Sequence, residues 1–233
     1  MIKPHGSDEL NPLFVYDSAE NEALQKEAEG LTSIVVTSAA AANAVMLGAG
    51  YFNPLTGYMN KADALSVAKD MKTTSGLFWP TPVLNLVEDA GNIKAGDRIA
   101  LKDPNVEGNP VLAIMDVEAV EEFSAEDKAE ISKNVYRAVE GEDHPGVDTF
   151  MAQGNVVLSG PVQVLNFSYF QTEFPDTFRT AVEIRNDIKE RGWNKVVAFQ
   201  TRNPMHLAHE ELCHMAMDRF CLLYTSDAAD EMN

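Results

Sequence analysis

The sequence is short of positive charge and of cysteine. Its 233 residues include 18 Lys and Arg against 36 Asp and Glu, a net charge of −18. A polyphosphate backbone repels so acidic a chain, and no Lys/Arg stripe offsets that field, so no nucleic-acid partner is expected. A small anion remains admissible, because a local site can be positive on a negative protein. Two cysteines, Cys213 and Cys221, cannot build a disulfide framework or a four-cysteine zinc cluster. No apolar run approaches the roughly 20 residues that cross a bilayer. The opening MIKPHGSDELNP has no apolar stretch behind its lysine, so neither a membrane partner nor a signal peptide is expected. No G-x-x-x-x-G-K-[ST] string occurs, which removes P-loop phosphoryl transfer. The expectation is a reduced, cytoplasmic, soluble protein.

What is present reads as two patterns. LTSIVVT (31–37) is expected as a short buried strand, followed by a helix over 39–47 capped by Ser38 and stopped by Gly48 and Gly50. YFNPLTGYMN (51–60) reads as loop. Residues 61–72 read as an amphipathic helix with Ala64, Leu65, Ala68 and Met71 on its apolar face. The period then turns strand-like over 78–88, 95–103 and 111–123, with Pro80 and Pro82 placing the first at an edge or bulge. Ser124 and Asp127 resemble a capping box opening a helix to about Val139. DHPGVDTF (143–150) reads as a turn and 156–165 as a strand. The aromatic stretch 167–180 reads as an inter-domain connection. Beyond it come a helix (180–192), a short buried strand KVVAF (195–199), a loop and a helix (205–219). The fold class is α/β: a small mixed β domain, then about one and a half units of a parallel α/β domain.

The chemistry concentrates in VVAFQTRNPMHLAHE (196–210). Asn203 is a good N-cap and Pro204 a good first helical residue, so a helix N-terminus is expected just beyond the strand's C-terminal end. Its free N–H groups and positive dipole end face the crevice where open α/β sheets bind ligands. Gln200, Thr201 and Arg202 lie on the loop, and His206 and His209 fall about 60° apart on one helix face. One guanidinium, two imidazoles, an amide and helix N–H groups suit phosphate or sulfate oxyanions. HEELCH (209–214) is not a zinc-protease helix, since its histidines are five apart and diverge by about 140°. His206, His209 and Cys213 make at most a chance metal site, so no protein metal site is expected. His144 reads as a turn or interface residue, Met205, Met215 and Met217 as helix packing, and Trp79 and Trp193 as core or interface aromatics.

QTRNPMHLAHE resembles the QxRNPxHxxH signature of the ATP sulfurylases (sulfate adenylyltransferases). FNPLTGYM, GLFWPTPVLNL, DHPGV and LSGPVQVL resemble that family's N-terminal domain in the same order. The resemblance implies a PUA-like mixed β-barrel over 1–166, then the connection and the start of a nucleotidyltransferase-type, Rossmann-like catalytic domain over 167–220. It implies that Gln200, Arg202 and Asn203 bind sulfate and ATP, and that Thr201, Arg202 and Asn203 form the active-site loop. His206 and His209 would hold the ATP phosphates, with Mg²⁺ as the cofactor carried on ATP. The implied partners are ATP, sulfate, adenylyl sulfate and pyrophosphate, with a homo-oligomer possible. Leu207 stands where many relatives have Arg. The resemblance ends near Arg219: the family's downstream HPLVG-like and GRDHAG-like segments do not occur. Residues 221–231 back-translate into a transposon-based sequencing adapter, so 221–233 is expected to be adapter read-through and the chain an inactive fragment. Two alternatives stand beside this reading. One is a PUA-type RNA-binding or regulatory module. The other is a nucleotidyltransferase that activates a different acid.

Overall fold

The computed structural model describes residues 2–201 and 203–220, together with the backbone of 223–225. The chain divides into two compact units, Pro4–Ser168 and a second from Tyr169 onward that also takes in Ile2 and Lys3.

The first unit runs α1 (Ser18–Ala28), β1 (Thr32–Val35), α2 (Ser38–Gly48), β2 (Gly57–Tyr58), α3 (Lys61–Asp70), β3 (Leu86–Val87), β4 (Arg98–Lys102), β5 (Val111–Asp116), β6 (Ala119–Glu122), α4 (Ala125–Tyr136), α5 (Pro145–Ala152) and β7 (Val156–Val164). The sheet order is β1-β4-β5-β7-β2, with β3 and β6 also paired to β7. Only β1 and β4 pair in parallel. Strand β7 is the hub: its first half pairs with β3 and β6, its second half with β5 and β2. Sharing one strand in this way curls the sheet on itself. The core strands are near-continuous apolar runs because both faces are covered. Ala100 and Ile114 pack with Leu24 and Ala28 of α1, while Ile99, Leu101 and Met115, one register away, are equally buried. Leu86, Phe123, Ile131, Phe150 and Val157 form a second cluster with Ala64 and Ala68 of α3.

Several local expectations change. Strand β1 is an edge strand with a largely exposed face, so only Val36, just past it, is buried as a strand core would be. The cap of α2 is Thr37, whose hydroxyl accepts from the Ala40 N–H. Helix α2 ends at Gly48 as expected, and Gly50 follows in the left-handed conformation with its N–H donating to Leu47 O; Gly48 is also a close contact point, since a Cβ there would lie 2.7 Å from Val164 Cγ1. Within 51–60, Gly57–Tyr58 form a short strand against Pro161 and Gly160. Met71 ends α3 in the left-handed conformation and is exposed, and Val67 takes the buried place expected of it. Of residues 78–88 only Leu86–Val87 form a ladder, because two prolines remove donors before it. The run 111–123 breaks into β5 and β6 opposite Gly160, where the Glu118 N–H donates to Ser159 O. Residues 145–152 are a helix rather than a turn. His144 Nδ1 accepts from the Gly146 and Val147 N–H groups at 3.1 and 3.3 Å, doing the work of a capping Asn or Asp.

Two polar contacts hold α4 in place. Lys128, 3% exposed, donates from Nζ to Met151 O, Gln153 O and Asn155 Oδ1 and sits over the Phe150 ring. Burial pushes its ammonium below the ordinary lysine range. Lys128→Met would leave three partly buried acceptors without their donor, so a loss of about 1–3 kcal/mol is expected in urea titrations; an unchanged midpoint would mean that water replaces the ammonium.

At the start of α4, Asp127 completes the expected capping box with Ser124 and pairs with Lys61. The hydrogen bond from Lys61 is the largest cause holding the Asp127 carboxyl below its usual range. A carboxyl depressed on folding stabilises the fold above its unfolded pKa of about 3.9, and that contribution is lost as pH falls through the lower folded value. Asp127→Asn should therefore flatten the acid limb of stability against pH below about 4. An acid limb identical to the parent's would remove Asp127 as its cause.

The second unit contains α6 (Phe170–Glu173), α7 (Ala181–Glu190), β8 (Val197–Phe199), α8 (Leu207–Phe220) and β9 (Leu223–Thr225), the last paired in parallel with β8. Helix α7 opens on a capping box: Thr180 Oγ1 accepts from the Glu183 N–H, and Glu183 Oε2 accepts from the Thr180 N–H. Strand β8 is not buried, as 195–199 was expected to be; Val196 and Ala198 are exposed. Among the described residues of this unit only Thr180 and Cys213 are buried. Met205, Leu207, Leu212, Met215 and Met217 are all exposed, so the three methionines do not pack as expected. Apart from β9, residues 221–233 lie outside the described residues. No described helix is long and apolar enough to cross a membrane.

Candidate active site

Strand β8 ends at Phe199, and the chain turns at once through Gln200 and Thr201. The Thr201 hydroxyl accepts from the Asn203 N–H at 3.1 Å and donates to Asn203 O at 3.2 Å. This small hydroxyl-closed turn shapes the loop. Gln200 and Asn203 are exposed, and Arg202 lies outside the described residues.

Helix α8 starts at Leu207, later than the Asn-Pro signal predicts. Asn203 is thus not its cap, since it lies four residues before the helix and closes a short turn with Thr201. His206 takes that place: its carbonyl accepts from the His209 and Glu210 N–H groups at 2.8 and 3.1 Å. In return, His209 Nδ1 accepts from the His206 N–H at 3.4 Å. This repeats the reciprocal logic of a capping box, with imidazole in place of Glu or Gln. The His206 and His209 rings stack with centroids 3.9 Å apart and planes 30° apart. The histidines therefore meet as expected, but across the helix start rather than along a helix face. Ring stacking and a cap bring them together.

One neighbour escapes the motif reading. The Phe199 ring lies 5.6 Å from that of His209. Its signal was present: strand alternation puts Val197 and Phe199 on one face, and His209, Cys213 and Ala216 follow an i, i+4, i+7 spacing along α8. Those three are the helix residues drawn inward, Cys213 fully so.

Chemically, the place offers an exposed imidazole beside the N-terminus of a 14-residue helix, whose first N–H groups lack intrahelical acceptors. Such a corner favours anions carrying several oxygens. Among the described residues no group of three or more His, Cys, Asp or Glu is placed to hold a metal ion.

The chain matches the PUA-like domain model over residues 2–167 and the ATP-sulfurylase model over 175–226. It is 64% identical to a sulfate adenylyltransferase of Allochromatium vinosum over 218 residues, covering 94% of this chain and 55% of that protein. A sulfate adenylyltransferase of Alcanivorax borkumensis is 60% identical, with 94% and 54% covered. The hexameric APS kinase from Thiobacillus denitrificans superposes with a TM-score of 0.73 at 26% identity, over 97% of this chain and 39% of that one. The chain spans about half the length of the curated relatives it matches.

Proposed function

The chain belongs to the PUA-like domain family through residues 2–167, and from that premise we propose that it is part of a sulfate adenylyltransferase whose anion site is carried by residues 199–210. The observation that carries the reading is the stacked His206–His209 pair at the start of α8, directly after β8. In the proposed reaction a sulfate oxygen attacks the α-phosphorus of ATP. The P–O–S bond forms as the bond to the β-phosphate's bridging oxygen breaks, giving adenylyl sulfate and pyrophosphate. Mg²⁺ would arrive on the ATP phosphates and supply charge neutralisation there.

Sulfate is a weak nucleophile, so the site's work is positioning and electrostatic stabilisation. Thr201 fixes the loop through Asn203, leaving the Gln200 and Asn203 amides free to meet oxyanions. His206 presents its ring where the helix dipole is positive, suited to phosphate oxygens as charge builds. Arg202 would add a bidentate cation to the same oxyanions. Like the hexameric APS kinase it superposes on, the whole protein would be a homo-oligomer. The RNA-binding alternative gains nothing from a net charge of −18.

The test is sulfate-dependent pyrophosphate release from ATP by a longer protein that carries these residues and the remaining length of the relatives. Release that ignores sulfate and molybdate would point to a different acid as the acceptor. No release under any of these conditions would end the reading.

A further inference from the structure

We propose that Phe199 is a positioning residue for the histidine pair, so that the end of β8 sets where the His206 ring stands; this deepens the functional reading above and rests on it. The three rings form a continuous row, tilted between Phe199 and His209 and stacked between His209 and His206. Phe199 is half-buried at the last position of β8, and its ring meets His209 at 5.6 Å with planes 57° apart. His209 in turn meets His206 at 3.9 Å.

His209 sits on the inward face of α8 with Cys213 and is half-buried, whereas His206 is exposed. An exposed imidazole has many rotamers, and one side-chain neighbour described against His206 is the His209 ring. His209 is itself pinned twice. Its Nδ1 accepts from the His206 backbone N–H, and its ring edge is walled by Phe199. The nitrogen that accepts this bond carries no hydrogen, so the geometry places the ring's hydrogen on Nε2. Removing the wall frees His209 to turn, which loosens both the cap and the surface on which His206 rests.

The test starts with ¹⁵N-histidine NMR on the 233-residue chain, which needs no activity. The parent should show His209 in the Nε2–H tautomer. In Phe199→Ala, His209 should lose that tautomer bias and both His206 and His209 signals should move, while His5, His144 and His214 stay in place. Phe199→Tyr should restore the parent spectrum. Phe199→Leu covers the case in which Ala unfolds the unit: it keeps apolar bulk and removes the ring, and it should still move the two histidines. Parent-like His206 and His209 signals in Phe199→Leu would overturn the proposal, because bulk alone would then suffice.

In the longer protein, Phe199→Ala should lower kcat by tenfold or more, toward the roughly 100-fold that a misplacement of about 1 Å can cost, with KM little changed. A spectrum that responds in a protein without sulfate-dependent turnover would keep the positioning role and remove the activity. Turnover with an unmoved spectrum would do the reverse.

Discussion

Gly160→Ala is expected to destabilise the first unit severely. Gly160 has φ +142°, a conformation that residues with a side chain rarely adopt. An added Cβ would stand 2.1 Å from Asp116 O and 2.9 Å from the Glu118 nitrogen, and backbone atoms cannot rotate away as a side chain can. The site is also the junction of the curled sheet. On one side Gly160 pairs with Tyr58; on the other the chain leaves β5 at Asp116 and begins β6 at Ala119. Relief would require pulling β5 and β6 off β7, which carries most of the sheet's pairing. A loss of about 4 kcal/mol or more follows, a large part of a domain's usual 5–15 kcal/mol. Urea unfolding followed by the buried Trp79, with Trp193 changed to Phe to silence the second unit, measures it. A midpoint within error of the parent would show that the junction can open without disturbing the sheet.

In the longer protein, His206→Ala should reduce turnover about 100-fold or more, the usual consequence of removing one preorganised oxyanion donor. The geometry gives this residue its weight: it is exposed, it lies at the helix start, and its ring is held by His209. His209→Ala is expected to be about as costly for a different reason, since it removes both the reciprocal cap and the stacking surface. The two variants separate in circular dichroism and hydrogen exchange of the 233-residue chain. His206→Ala keeps the His209 cap acceptor and should leave the first turn of α8 protected. His209→Ala should fray it. A near-parental rate in His206→Ala would remove that imidazole from the chemistry, whatever happens to the helix.

The motif at 200–209 was legible because its chemistry is local: a strand end, a turn and a helix start lie within a dozen residues. The capping box at Ser124 was legible for the same reason, since it closes within three residues. The start of α8 was misjudged because Asn203 closes a short turn with Thr201 and the helix begins only at Leu207, a choice between turn and helix that residue preferences do not rank. His144 was passed over as a turn because histidine is an uncommon cap, although its Nδ1 can accept as a carboxylate does.

By itself the sequence determined the charge, the α/β class, most helices and the place of the strand–turn–helix joint after β8, all of which depend on composition or on neighbours a few residues away. Only the tertiary structure decided the break between β5 and β6, the close approach of Gly48 to Val164 and the wall that Phe199 gives His209. Each of these is fixed by an atom from another element: Asp116 O facing Gly160, Val164 facing Gly48, the imidazole of α8 facing the end of β8. Burial divided in the same way. Similar apolar runs became core in β4 and β5, where α1 lies over one face and the opposite register is also enclosed, and stayed open to solvent in β8. A residue's hydrophobicity states what it would gain by burial, and only the elements packed around it determine whether water is removed.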